Sequence, residues 1–210
     1  MTKIYLTELF ETQRLLDAEI ERKHPRIPDE DRLEKRVLAL LVELGECANE
    51  WRGFKFWSNR QTANTLYQTT CDPDAATHHY CEDCKEDVAN KDTLKHFKKC
   101  EGVLYPLRAK NPLLEEYVDC VHFALSIGLQ LNIPLNLEWG PYRKKTVTEQ
   151  FKDLLQADWE TYYPNVYHGY CRNMELLIGL GEMLGFTWEQ IETAYMSKNV
   201  TNWKRQEEGY

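Results

Sequence analysis

No stretch of this chain approaches the roughly 20 consecutive apolar residues that a bilayer-spanning helix needs, so no membrane association is expected. The opening residues, MTKIYLTELFETQ, hold no apolar signal core, which leads to the expectation of a cytoplasmic protein. An excess of basic charge is also missing. Lys and Arg number 26 against 34 Asp and Glu, for a net charge of −8. Nucleic-acid-binding modules usually carry a basic face, so this balance argues against DNA or RNA as a partner. It does not argue against an anionic substrate, because bound metal ions invert the local sign of an acidic site. The chain has no internal repeat, no low-complexity tract, and no useful alternating strand pattern outside residues 59–109. Its seven Cys are odd in number and clustered. In a reducing compartment that pattern points to metal binding rather than to disulfides.

What is present is apolar and aromatic material for a core: 42 % apolar residues, six Trp and twelve Tyr, enough to exclude disorder. The apolar spacing is helical. Leu6, Leu9, Phe10, Leu16 and Ile20 predict a helix from about Tyr5 to Arg22. After Pro25 and Pro28, Asp29 or Asp31 can cap a second helix running to about Trp51, with Val37, Leu38, Leu41 and Leu44 on its apolar face. Asn111-Pro112 opens a third, carried by Leu114, Val118, Val121, Leu125 and Leu129 to about Asn132. Further helices are expected over about 146–162, 170–184 and 187–206, the last opened by a capping box of Thr187 and Gln190. The expected fold class is therefore all-α.

Residues 59–109 differ in texture. They hold four of the seven Cys and three of the six His. We read them as an insert in a helical domain formed by 1–58 and 110–210. Cys81 and Cys84, followed by His96 and Cys100, make a C-x2-C…H-x3-C array. The first pair suits a tight knuckle, and the second places two ligands one turn apart on a short helix begun by Asp92 or Thr93. This is tetrahedral Zn²⁺ spacing with no position left open, which implies a structural site. Cys71, His78 or His79 could replace one ligand. Cys47, Cys120 and Cys171 fall in helical patterns and read as buried free thiols.

Acidic residues carry the second chemical signal. Glu43 and Glu46 share one face of the second helix, and Glu50 continues it. Glu116 and Asp119 share a face of the third. Both pairs lie beside the apolar stripe rather than opposite it. Two such helices facing each other would offer four carboxylates, a hard-oxygen site suited to Mg²⁺.

The pairing of E-x-x-E with a later E-x-x-D resembles the MazG-like all-α nucleotide pyrophosphatases. Three further pieces resemble the dimeric all-α dUTPases. Gln13-Arg-Leu-Leu-Asp17 is similar to that family's Q-x-x-L-N/D segment. Phe54-Lys55-Phe56-Trp57 is similar to its aromatic-Lys-x-Trp element. The stretch from Lys198 to Tyr210 resembles K-N-x-x-N-x-x-R-x-x-x-G-Y. The resemblance implies a MazG-like helical bundle that hydrolyses dUTP to dUMP and pyrophosphate as a homodimer, with dUDP a further possible substrate. It implies that Glu43, Glu46, Glu116 and Asp119 hold Mg²⁺ and that Glu43 or Glu46 activates the attacking water. Lys198, Asn199, Asn202 and Arg205 would bind the phosphates, the first a compact charge and the last a planar donor fork. Gln13 offers both a donor and an acceptor to the uracil edge, and Trp57 a face for the ring to stack on. Asp17 stands where some relatives have Asn, and its carboxylate donates only when protonated. Lys55, Phe123 and Tyr210 complete the candidate substrate contacts, Phe123 by crowding a ribose 2′-OH. Two other readings stay open: a MazG-like pyrophosphatase of another nucleotide, and a non-enzymatic zinc-finger adaptor or nucleic-acid-binding protein.

Overall fold

The computed structural model describes residues 3–63, 66–69, 76–160 and 166–209. The helices are α1 (Thr7–Lys23), α2 (Arg32–Trp51), α3 (Thr93–Phe97), α4 (Pro112–Gln130), α5 (Val147–Leu155), α6 (Val166–Met183) and α7 (Trp188–Glu208). The strands are β1 (Ile4–Tyr5), β2 (Leu66–Thr69), β3 (His78–Cys81), β4 (Asp87–Ala89), β5 (Leu104–Lys110) and β6 (Glu138–Trp139). No helix among the described residues is long and apolar enough to cross a membrane. The chain divides into two compact units, Met1–Thr62 with Leu113–Tyr210, and Ala63–Pro112. The second unit lies slightly later in the chain than 59–109. Arg52 Nε donates to the Arg60 carbonyl, which ties that residue to the end of α2, and β5 keeps pairing with β2 as far as Lys110.

The first unit is all-α apart from the two-residue β1–β6 ladder. Asp31 caps α2, its carboxylate accepting from the backbone N–H groups of Leu33 and Glu34. Asp29, the other candidate cap, instead forms the preceding turn at φ 63°. The Thr187–Gln190 capping box opens α7. Helix α4 is buried along Tyr117, Val118, Cys120, Val121, Ala124, Leu125 and Ile127, which makes it the central rod of the bundle. A Cβ at its Gly128 would collide with the Tyr170 phenol, so glycine permits the close seating of α6. The Tyr170 hydroxyl in turn donates to the Ala124 carbonyl at 2.8 Å.

Three sequence expectations need correction. Leu38 is 62 % exposed, and the buried stripe of α2 is Leu33, Val37, Leu40, Leu44 and Cys47. Helix α5 stops at Leu155 rather than near 162. The chain turns there so that Trp159 can be buried edge-on against Tyr170, with Asn173 Nδ2 donating to the Asp158 carbonyl. Burial of so large a ring outweighs helix continuation. Helix α6 begins at Val166, four residues before the expected Tyr170.

The second unit is a four-stranded antiparallel sheet in the order β2-β5-β3-β4 with the short α3 beside it. Its buried apolar residues among those described are few: Ala76, Cys81, Val88 and Leu107.

Candidate functional site

The acidic residues of α2 and α4 converge. Carboxylate oxygens of Glu43, Glu116 and Asp119 all lie within 4.8 Å of one another. Glu46 is exposed and outside that trio, although its charge still acts on Glu43 and Glu116. Glu50 is half-buried and also apart from it. Burial, then the neighbouring Asp119, Glu46 and Glu116, push the Glu43 carboxyl up to about 7. Burial also raises Glu116 and Asp119, and the Lys198 ammonium opposes the rise at Asp119. Lys198 Nζ stands 2.5 Å from Asp119 Oδ2. Three crowded, partly desolvated carboxylates beside the Lys198 ammonium are a donor set that fits a hard divalent cation.

Beside this cluster lies a cavity of about 490 Å³, within the range of small-molecule sites. Glu43, Asp119, Phe123, Lys198, Asn202 and Arg205 line it, as do Gln13 and Asp17 from α1. The three C-terminal residues reach it together because they share one side of α7. Asn199 faces inward instead, 6 % exposed, with its Nδ2 unpaired among the described residues. Lys55 and Trp57 are elsewhere. They border a separate surface hollow formed by residues of the 49–60 segment, with Trp57 66 % exposed. After the left-handed C-cap at Arg52, the turn packs Phe54 against Trp51 and Trp57. Tyr210 lies outside the described residues.

Sequence reasoning missed the polar wall behind Gln13. His122 Nδ1 lies 2.8 Å from Gln13 Oε1, and the Tyr195 hydroxyl lies 2.9 Å from the same oxygen. Gln13 Nε2 donates to Asp17 Oδ1 at 2.8 Å, and Ser126 Oγ donates to Asp17 Oδ2 at 2.5 Å. The Arg36 guanidinium is 3.7 Å from Asp17. Burial raises the Asp17 carboxyl, against the hydrogen bonds from Ser126 and Gln13. Burial also lowers His122 to about 3, leaving it a neutral imidazole. One signal was available. His122 and Ser126 are polar residues on the apolar stripe of α4, one and two turns beyond Asp119, and buried polar groups need partners.

In the second unit, Cys81, Cys84, His96 and Cys100 bring their ligand atoms within 4.8 Å of one another. Cys81 Sγ and Cys100 Sγ are 3.7 Å apart, and Cys84 Sγ is 3.9 Å from His96 Nε2. A tetrahedral zinc with Zn–S near 2.3 Å has S···S edges of about 3.8 Å, so the set fits that ion. Backbone N–H groups of Cys84 and Asp83 hold the Cys81 thiol below its ordinary range. A Cβ at Gly102 would come within 2.6 Å of Cys81 Sγ, so glycine lets the chain pass close to the cluster. His78 and His79 lie on β3 outside it, and Cys71 is outside the described residues. Cys47 and Cys120 are buried free thiols, whereas Cys171 is only half-buried.

The chain matches a family model described as dUTPase over residues 5–70 and 87–210. The unmatched stretch 71–86 contains Cys81 and Cys84. A search of curated proteins finds no match.

Proposed function

Because this chain belongs to the all-α dUTPase family, we propose that it hydrolyses dUTP to dUMP and pyrophosphate. The observation that carries the proposal is the cavity that joins Glu43 and Asp119 to Lys198, Asn202 and Arg205 on one side and to Gln13 on the other. Such a cavity suits a ligand with a polyanionic end and a small polar ring. Glu43, Glu116 and Asp119 would hold Mg²⁺, with Glu46 at the edge of the set. Bound Mg²⁺ supplies charge neutralisation for the phosphate oxygens.

The side chains divide the remaining work. Lys198 and Arg205 attract and orient the phosphates, and Asn202 adds neutral donors. Water attacks the α-phosphorus, the bond to the bridging oxygen breaks, and pyrophosphate leaves. Of the two glutamates left open by sequence, Glu43 lines the cavity and Glu46 does not, which favours Glu43 as the group that orients and deprotonates the water. Gln13 meets the base, and Phe123 narrows the space beside the sugar. Asn199 is buried and does not line the cavity, so it is left out of the phosphate set.

The protein would work as a homodimer. Leu38 and Val42, one turn apart on α2, are 62 % and 50 % exposed, and Phe56 is 84 % exposed. The family resemblance carries this reading, and Leu38 and Val42 offer apolar side chains to a second copy. Cys81, Cys84, His96 and Cys100 would hold one structural Zn²⁺, which stabilises a unit with little apolar core of its own. A pyrophosphate-release panel with dUTP, dUDP, dTTP, dCTP and UTP, with and without Mg²⁺, tests the activity. Selective, Mg²⁺-dependent turnover of dUTP is expected. Equal turnover of dTTP or dCTP would refute the substrate, and no turnover of any nucleotide would refute the activity.

A further inference from the structure

Gln13 sits at the back of the cavity, 4 % exposed, between groups of opposite hydrogen-bonding character. An amide can be turned either way, and the two orientations present opposite patterns to a ligand. Here its surroundings decide. With Nε2 toward Asp17, the amide donates to a carboxylate and its oxygen faces two donors, His122 Nδ1 and the Tyr195 hydroxyl. Turned over, its oxygen would face the Asp17 carboxylate 2.8 Å away, oxygen against oxygen. Asp17 is itself held by Ser126 Oγ and lies beside Arg36, both of which favour its charged form. His122 is 5 % exposed and its ring stacks on Tyr195 with centroids 4.0 Å apart, so it cannot swing away. Its Nε2 is buried and has no protein partner among the described residues, although the residue lines the cavity. A neutral imidazole carries one N–H. Spending it on Gln13 leaves Nε2 as a buried acceptor.

We propose that His122 is a positioning residue for base selection: donating from Nδ1 alongside the Tyr195 hydroxyl, it locks the Gln13 amide so that the wall offers a donor from Gln13 beside an acceptor from Asp17. This rests on the nucleotide reading above and names how the base is chosen. Gln13 Nε2 retains a second hydrogen after bonding Asp17, and Asp17 Oδ1 retains a lone pair. A pyrimidine with N3–H beside a carbonyl, as in uracil, matches that pair. Cytosine carries a lone pair at N3 and turns it toward a carboxylate. A buried mismatch of this kind excludes a ligand more strongly than a missing contact does. In this arrangement Asp17 has no need to donate to the base, because it accepts.

The test compares dUTP with dCTP. His122→Phe keeps a ring against Tyr195 and removes the donor. The ratio of kcat/KM for dUTP over dCTP should fall at least about tenfold, with KM for dUTP changing more than kcat. His122→Asn places an amide N–H near the lost Nδ1 and should recover most of the ratio. A folded His122→Phe protein whose ratio stays within twofold of wild type would overturn the proposal, as would failure of His122→Asn to restore it. Nitrogen-15 NMR of the unmodified protein near pH 7 tests the arrangement without relying on turnover or on a variant. A neutral His122 protonated on Nδ1 is expected, and an Nε2–H tautomer or an imidazolium would overturn the proposal. Absence of turnover in the wild type would refute the assigned activity and leave the tautomer result to decide the Gln13 orientation.

Discussion

Replacing Glu43 by Gln should stabilise the metal-free protein at alkaline pH while destroying its activity. Glu43 ionises near 7 in the folded protein rather than near its ordinary 4.5, chiefly because of burial and then of Asp119. A difference of that size corresponds to at most about 3–4 kcal/mol against the folded state once the group is charged in both states. The side chain is only half-buried, so water screens much of this, and roughly 1–2 kcal/mol is the expected gain. The sign follows from the direction of the shift. Below pH 4.5 the carboxyl is protonated in folded and unfolded chains alike, and Gln changes little. Between about 4.5 and 7 the unfolded chain releases its proton first, so wild-type stability falls as pH rises and the variant's advantage grows. Above about 8 the advantage is complete. For a chain of this length it amounts to a rise in melting temperature of about 2–8 °C. Thermal unfolding in EDTA at pH 4 and pH 8 measures it, and millimolar Mg²⁺ at pH 8 should raise the wild-type melting temperature much more than the variant's. An equal shift at both pH values, or none at pH 8, would refute the crowded-carboxylate account. An equal response of both proteins to Mg²⁺ would refute Glu43 as a ligand.

Other expectations follow from the same geometry. Asp119→Asn should lower kcat at least about a hundredfold, since it removes a carboxylate from the trio, whereas Glu46→Gln should cost distinctly less because Glu46 lies outside the trio; steady-state pyrophosphate assays rank the two, and a reversed order would show that the trio is not the ligand set. Purified protein should hold about one tightly bound zinc per chain by metal analysis. Cys84→Ser should release it, with faster amide hydrogen exchange confined to the second unit; retention of zinc would show that the ligand set is wrong. Tyr170→Phe should lower stability by roughly 0.5–1.5 kcal/mol, because one buried hydrogen bond to the Ala124 carbonyl is lost, and chemical denaturation measures the loss.

Helices are legible in this sequence because an amphipathic period, a proline break and a capping residue are local properties. Asp31, Pro112 and the Thr187–Gln190 box each mark an end that the structure keeps. The acidic pairs, the Cys–His spacing and the C-terminal motif are local too, since ligands one helical turn apart must be three or four residues apart in the chain. What depends on distant partners was not legible. Nothing near Tyr162 says that α5 must stop at Leu155; that follows from the burial of Trp159 against Tyr170 of α6. Nothing beside Glu46 says that it stays outside while Glu43 turns inward, because that depends on how α2 faces α4. His122 looked like one more position on a core helix, and it became part of the site only when α1 and α7 brought Gln13 and Tyr195 against it. Local spacing specifies which chemical groups share a face of one element. Which faces meet is decided by packing, where the burial of large side chains and the pairing of buried polar atoms outweigh any local preference.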